Sequence, residues 1–302
     1  MTPNHSLSLG EYLEARKKIT DDALEKYLPG EENYPPVIFQ AVRYSVFAGG
    51  KRLRPILCIA AAETVGGDIK SVLPIACALE LIHTYSLIHD DLPALDDDDY
   101  RRGMLTSHKV FGEDMAILAG DALLTDAFRL MSEKKLMAGL EPEKLLTVIH
   151  DIAEAAGCFG MVGGQVVDVQ SEGKTVDREV LHYIHTRKTG AMITVAVKAG
   201  ALLSNAGAAE LNSLISYGQN IGLAFQVADD ILNVEGDREV LGKGTGSDAS
   251  RGKVTYPALM GLDESRKKAG ELVENAISAL KSFDHRAEPL RMIARYIVER
   301  KS

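Results

Sequence analysis

The chain has 302 residues, 46% of them apolar, and a formal net charge of −9. That balance excludes a global basic field of the kind that gathers nucleic acid or an anionic membrane, so local clusters of Lys and Arg carry more information than usual. Ala, Leu and Glu abound, β-branched alternation is scarce, and no Pro/Ser-rich linker, low-complexity tract or repeat divides the sequence, which predicts an all-α chain folded as one domain over 1–302.

Residues 6–28 read as an amphipathic helix with Ser8 as N-cap and Pro29-Gly30 as its stop. A second helix, over 36–48, is opened by Pro35-Pro36 and closed by Gly49-Gly50. Then come Lys51, Arg52 and Arg54, with Pro55 suited to the first turn of the next helix. Glycine backbone N–H groups and a helix N-terminus both favour an anion, so Gly49-Gly50 with the three cations Lys51, Arg52 and Arg54 reads as a diphosphate site; the plain alternative is a basic turn whose cations sit in water. That helix ends near Val65, at Gly66-Gly67.

The helix predicted over 71–91 carries Glu80, His83, Tyr85, Ser86, Asp90 and Asp91, with His83 and Asp90 seven apart and so on one face. Six Asp fall within Asp90–Asp99, followed by Arg101 and Arg102. Asp is a poor helix former and a good ligand for hard cations, and converging carboxylates repel unless a cation joins them. The run therefore reads as a Mg²⁺ site, with an acidic surface loop as the bland alternative. A helix over 108–132 holds Asp114, Asp121 and Asp126, read as structural, and helices over 141–157 and 158–171 follow. The second includes Gly163-Gly164-Gln165, where Gly and Gln inside a helix predict close packing or a polar lining. Along a helix over 177–203, Lys188 either aims at the metal site or snorkels to the surface.

In the helix over 208–234, Gln226, Asp229, Asp230 and Asn233 are spaced i, i+3, i+4, i+7 and share a face. Two Asp pairs on two apolar helices predict facing halves of one metal site, since burying either pair without a cation is costly. Residues 237–253, polar and rich in Gly, read as a mobile loop or lid carrying Lys243 and Lys253, against a plain linker. Helices over 257–280 and 288–300 close the chain. No spacing among His5, His89, His108, His150, His182, His185 and His285 suggests a metal site. Cys58, Cys77 and Cys158 are odd in number and lack CxxC spacing, which predicts buried, reduced thiols. With no signal-peptide core and no uninterrupted apolar run near the ~20 residues of a membrane span, the sequence predicts a cytoplasmic protein without stable membrane insertion.

Paired Asp, two basic clusters and apolar helices together suggest a greasy diphosphate as the partner. In Gly49–Pro55, Glu80–Gly103, Gly163–Asp168, Lys188–Thr189, Gln226–Asn233 and Gly252–Pro257, in this order, the chain resembles the short-chain trans-prenyl diphosphate synthase family, within it the bacterial farnesyl type most closely. The resemblance implies a helical bundle around a deep apolar cavity, a homodimer, three Mg²⁺ ions, and head-to-tail condensation of isopentenyl diphosphate with an allylic diphosphate. It implies metal ligands at Asp90, Asp91, Asp96, Asp229 and Asp230. It places isopentenyl diphosphate on Gly50, Lys51, Arg54, His83 and Arg102, and the allylic diphosphate on Arg101, Lys188, Thr189, Gln226, Lys243 and Lys253. The floor of the product cavity falls to Tyr85 and Ser86, with a fifteen-carbon product expected over ten or twenty carbons.

Two features depart from the pattern. Asn233 stands where the second motif usually has a third Asp, and an unbroken helix would bring Asp97, not Asp96, under Asp90, so Asp96 requires a break that Pro93 can supply. A terpene cyclase would share the first Asp motif without needing Lys51, Arg54 and His83. A His-Asp metal phosphohydrolase would need further His ligands, and a non-enzymatic helical scaffold would explain neither Asp helix.

Overall fold

Ser8 opens the first helix, α1 (Leu9–Tyr27), through a capping box: its hydroxyl accepts from the Glu11 amide, and the Glu11 carboxylate accepts from the Ser8 amide. The computed structural model describes residues 8–235 and 254–299; the 237–253 segment with Lys243 and Lys253 lies outside the described residues, as does His5. After α1 come α2 (Pro36–Phe47), α3 (Leu53–Thr64), α4 (Ile69–Asp90) and a two-residue hairpin, β1 (Tyr100–Arg101) with antiparallel β2 (Met104–Leu105). The chain continues through α5 (Ser107–Phe111), α6 (Glu113–Met131), α7 (Pro142–Ala156), α8 (Met161–Ser171) and α9 (Arg178–Ile184). A π-helical turn (His185–Gly190) leads into α10 (Ala191–Leu203), followed by α11 (Ala208–Glu235), α12 (Tyr256–Met260), α13 (Leu262–Ala279) and α14 (Glu288–Glu299). The all-α expectation holds.

Three helices predicted whole are divided. Breaks fall at Gly112 and Gly261, whose φ of 90° and 82° a helix does not accept, and the helix predicted over 177–203 contains the π turn. The hairpin was not legible, being two residues per strand. Cys158 corrects the thiol reading: Cys58 and Cys77 are buried in α3 and α4, but Cys158 is exposed, in the turn between α7 and α8.

One apolar core runs through the described residues. Helix α4 packs on α3 and α6, α10 lies between α3 and α11, and α11 lies along α13. Two stretches, Ile69–Asp90 and Pro142–Ser171, have the length and apolar composition of a membrane span. The count of uninterrupted apolar residues had passed over both. In the first, 72% of the apolar window is buried inside the protein, so it is a core helix; in the second only 28% is buried.

Candidate active site

The apolar run of α4 ends at Asp90, one turn short of Pro93, whose ring disfavours helical backbone before it. The chain then doubles back. The Asp96 amide donates to the Asp90 carbonyl at 2.8 Å, the Asp97 amide to Leu92 at 3.1 Å and the Asp98 amide to Asp91 at 3.2 Å. Asp97 takes a left-handed φ of 49° and is exposed, whereas Asp96 is half-buried against the end of α4. The break that Asp96 required is present, and it returns Asp96 rather than Asp97 to Asp90.

The two members of each Asp pair are treated differently. Asp90 lines a cavity; Asp91 is buried and receives Arg101 Nε at 2.6 and 2.8 Å, while Arg101 also reaches Asp98 at 3.3 Å. On α11, Asp229 is half-buried beside Gln226, whose amide lies 3.3 Å away, whereas Asp230 is buried and accepts from His185 Nε2 and from the Tyr256 amide, both at 2.9 Å. Asp91 and Asp230 are thus held by internal donors, and Arg101 spends its guanidinium on Asp91. The part played by His185 is not legible in the residue spacing. The signal lay in chemistry rather than spacing, because a buried carboxylate needs donors and a helical His can be one.

The basic cluster divides in a similar way. Arg52, with a left-handed φ of 50° ahead of α3, is fully inside and bonded to Asp21 at 2.8 Å, Glu80 at 2.8 Å and the Val46 carbonyl at 2.7 Å. Its charge is neutralised and holds α1, α2 and α4 together. Arg54 and His83 face the cavity, where Arg54 Nε and His83 Nδ1 are buried without a hydrogen-bond partner. Burial first, then the guanidiniums of Arg54, Arg102, Arg101 and Arg52, push the His83 pKa well below its usual value. Arg102 donates to the Gly49 carbonyl, and a Cβ on Gly50 would sit 2.5 Å from the Arg102 guanidinium, so only glycine leaves that cation its place. Lys51 is exposed nearby. An unpaired guanidinium donor on Arg54 and mutually repelling guanidiniums in one place call for an anion.

Arg54, His83, Tyr85, Ser86, Asp90, Lys188, Thr189 and Gln226 all line one cavity of about 650 Å³, with Met161, Val162, Val166 and Val169 of α8 as its apolar wall. Lys188 Nζ pairs with Asp168 at 2.7 Å. Gly164 and Gln165 meet both halves of their prediction: Gly164 lets α8 touch the Lys188 backbone, where a Cβ would come within 2.3 Å of its nitrogen, and Gln165 lines the cavity. The Tyr85 ring is buried and stands edge-on to His89, with centroids 5.6 Å apart. His89 Nε2 lies 3.1 Å from the Ile117 carbonyl and rests against Gly120, where a Cβ would fall 2.1 Å from it. Sequence reading missed His89 as the neighbour that fixes the Tyr85 ring.

Carboxylates at two helix positions, cations beside them and an apolar cavity behind define an all-α binding site for an anionic head on a long apolar body. The chain belongs to the polyprenyl synthetase family, whose pattern it matches over residues 35–293. It is 47% identical to a geranylgeranyl diphosphate synthase of Cyanophora paradoxa, over 98% of this chain and 97% of that one. It is 45% identical to a farnesyl diphosphate synthase of Geobacillus stearothermophilus, over 97% and 98%. Among solved structures it resembles an FPP/GFPP synthase from Zymomonas mobilis, with a TM-score of 0.85 and 38% identity over 96% of this chain and 98% of that one.

Proposed function

We propose that the protein is a prenyltransferase that joins isopentenyl diphosphate head-to-tail to dimethylallyl or geranyl diphosphate, giving farnesyl diphosphate and pyrophosphate. The observation that carries this reading is the pairing of two separate cations, Arg54 beside His83 and Lys188, with one apolar cavity that also meets Asp90. A single-substrate cyclase would have no use for the first of them.

The donor set offered by Asp90, Asp96 and Asp229 is carboxylate oxygen throughout, which fits a hard cation such as Mg²⁺. These three would hold the metal, three ions being expected with substrate bound, while Asp91 and Asp230 stand behind them tied to Arg101 and His185. Bound Mg²⁺ supplies stabilisation of the charge that builds on departing pyrophosphate. Lys188 and Arg101 complete the allylic diphosphate pocket, with Lys243 and Lys253 assigned to it by resemblance alone. Lys51, Arg54, His83, Arg102 and the Gly50 backbone receive isopentenyl diphosphate. Thr189 and Gln226, which line the cavity, offer side-chain oxygens to the carbocation, and the apolar α8 wall keeps water from it.

A homodimer and a cytoplasmic setting belong to the same proposal. The exposed apolar residues Ile117 and Leu118 on α6, Leu146 on α7 and Phe159 beyond it support the first; the free buried thiols of Cys58 and Cys77 support the second. Pyrophosphate release from geranyl diphosphate, with and without isopentenyl diphosphate, tests the activity. Release that needs both substrates and Mg²⁺ is expected. Release from geranyl diphosphate alone, with cyclic products, would replace condensation by cyclisation.

A further inference from the structure

The π-helical turn at His185–Gly190 stands between the cavity and α11. It sends Lys188 and Thr189 into the cavity, and its backbone is gripped between two helices. A Cβ on Gly164 of α8 would meet the Lys188 nitrogen at 2.3 Å, and one on Gly222 of α11 would meet Gly190 Cα at 2.9 Å. Besides the Lys188–Asp168 pair toward α8, a side-chain bond ties the turn to α11 from three residues before Lys188: His185 Nε2 to Asp230 Oδ2, 2.9 Å. A carboxylate only accepts, so Nε2 carries the proton. The same Asp230 oxygen takes the Tyr256 amide at 2.9 Å, and the His185 ring lies over the Tyr256 ring with centroids 5.3 Å apart. His185 itself is buried and does not line the cavity.

The bond therefore joins the backbone just ahead of Lys188 to the residue just after Asp229. Resting on the function proposed above, we infer that His185 is a positioning residue for the allylic half of the site. Through Asp230 it holds the π turn so that Lys188 and Thr189 stay in register with Gln226 and Asp229 on α11. The isopentenyl half, built from α3 and α4, hangs on other contacts, chiefly Arg52 with Glu80 and Asp21. Loss of the His185 bond should accordingly be felt by one substrate and not the other.

The experiment varies each substrate against a saturating level of its partner, using the full chain with Mg²⁺ and pyrophosphate release, for wild type, His185→Phe, His185→Asn and His185→Gln. Phe keeps a ring over Tyr256 but cannot donate; Asn donates but falls a bond short; the Gln amide reaches about as far as Nε2. Phe and Asn should raise the KM for geranyl diphosphate by about tenfold or more, the scale of a lost hydrogen bond to a charged group, with little change in the KM for isopentenyl diphosphate. Gln should restore both. Where circular dichroism shows that Phe does not fold, Asn is read in its place. Equal rises in both KM values, no rise in either, or a Gln variant no better than Phe would overturn the inference. A wild type that releases no pyrophosphate from the pair would overturn the proposed function, and this inference with it; an active wild type whose variants show no split overturns this inference alone.

Discussion

Asp90 and Asp91 are neighbours in sequence with unlike surroundings, and their replacement separates the two jobs. Asp90→Ala removes a cavity carboxylate, so turnover should nearly vanish while the melting temperature stays close to wild type. Asp91→Ala leaves the part-buried Arg101 guanidinium only its longer contact with Asp98, at a cost short of the about 3–5 kcal/mol of a fully broken buried pair. Its melting temperature should fall well below that of Asp90→Ala in parallel thermal scans; matching scans would mean that Asp91 is not an anchor. His83 gives a pH signature. Its folded pKa lies well below the usual 6.5, so between the two values the unfolded chain binds a proton that the native chain refuses. The stability owed to neutral His83 is whole above about pH 6.5 and is lost as pH falls toward the folded value. Urea unfolding of wild type and His83→Gln from pH 8 to pH 5 should show wild type losing ground to the variant on the acid side. A difference independent of pH would mean that burial and the neighbouring guanidiniums do not lower the His83 pKa.

At the scale of elements, α4 is both core and measuring rod. Tyr85 lies five residues, about 7.5 Å of helix, before Asp90, and its ring is braced by His89, which in turn rests on Gly120 of α6. Tyr85→Ala should open the floor and move the product from fifteen carbons to twenty or more with modest loss of rate, as read by chromatography of the dephosphorylated products. An active variant that still stops at fifteen would make Tyr85 ordinary packing. Much of this was legible beforehand. Helix periods, the capping Ser8, the Gly-Gly stops and the acids on α4 and α11 all follow from local chemistry that a single sequence displays. What stayed hidden depends on partners distant in sequence: the division of each Asp pair, Arg52 spent on Glu80 and Asp21, and His185 facing Asp230 across 45 residues. The π turn was equally hidden, because Lys188-Thr189-Gly190 reads as helix and only the grip of α8 and α11 shows where it widens.

At the scale of the whole molecule, the exposed apolar residues Ile117 and Leu118 of α6 should be covered by a second copy. Sedimentation of the wild type should give twice the chain mass, and Leu118→Asp, which places a charge on that face, should shift the distribution toward single chains. A wild type that sediments as a monomer at all concentrations would leave that face without a partner. Helix α11 adds a consequence of another kind. Gly222, which touches Gly190, and Asp229 are seven residues apart and so nearly in phase, while Asp230 is turned aside by about 100°. The glycine contact works as a clocking mark on a shaft. Removing one residue between Gly222 and Asp229 would rotate Asp230 into the acid's station and Ile231 into the anchor's, leaving a carboxylate for the metal but no hold on the π turn. Adding one would do the reverse, with Ala228 in the place of Asp229 and Asp229 under His185. The two frame shifts should fail in opposite ways, the first in allylic affinity and the second in turnover.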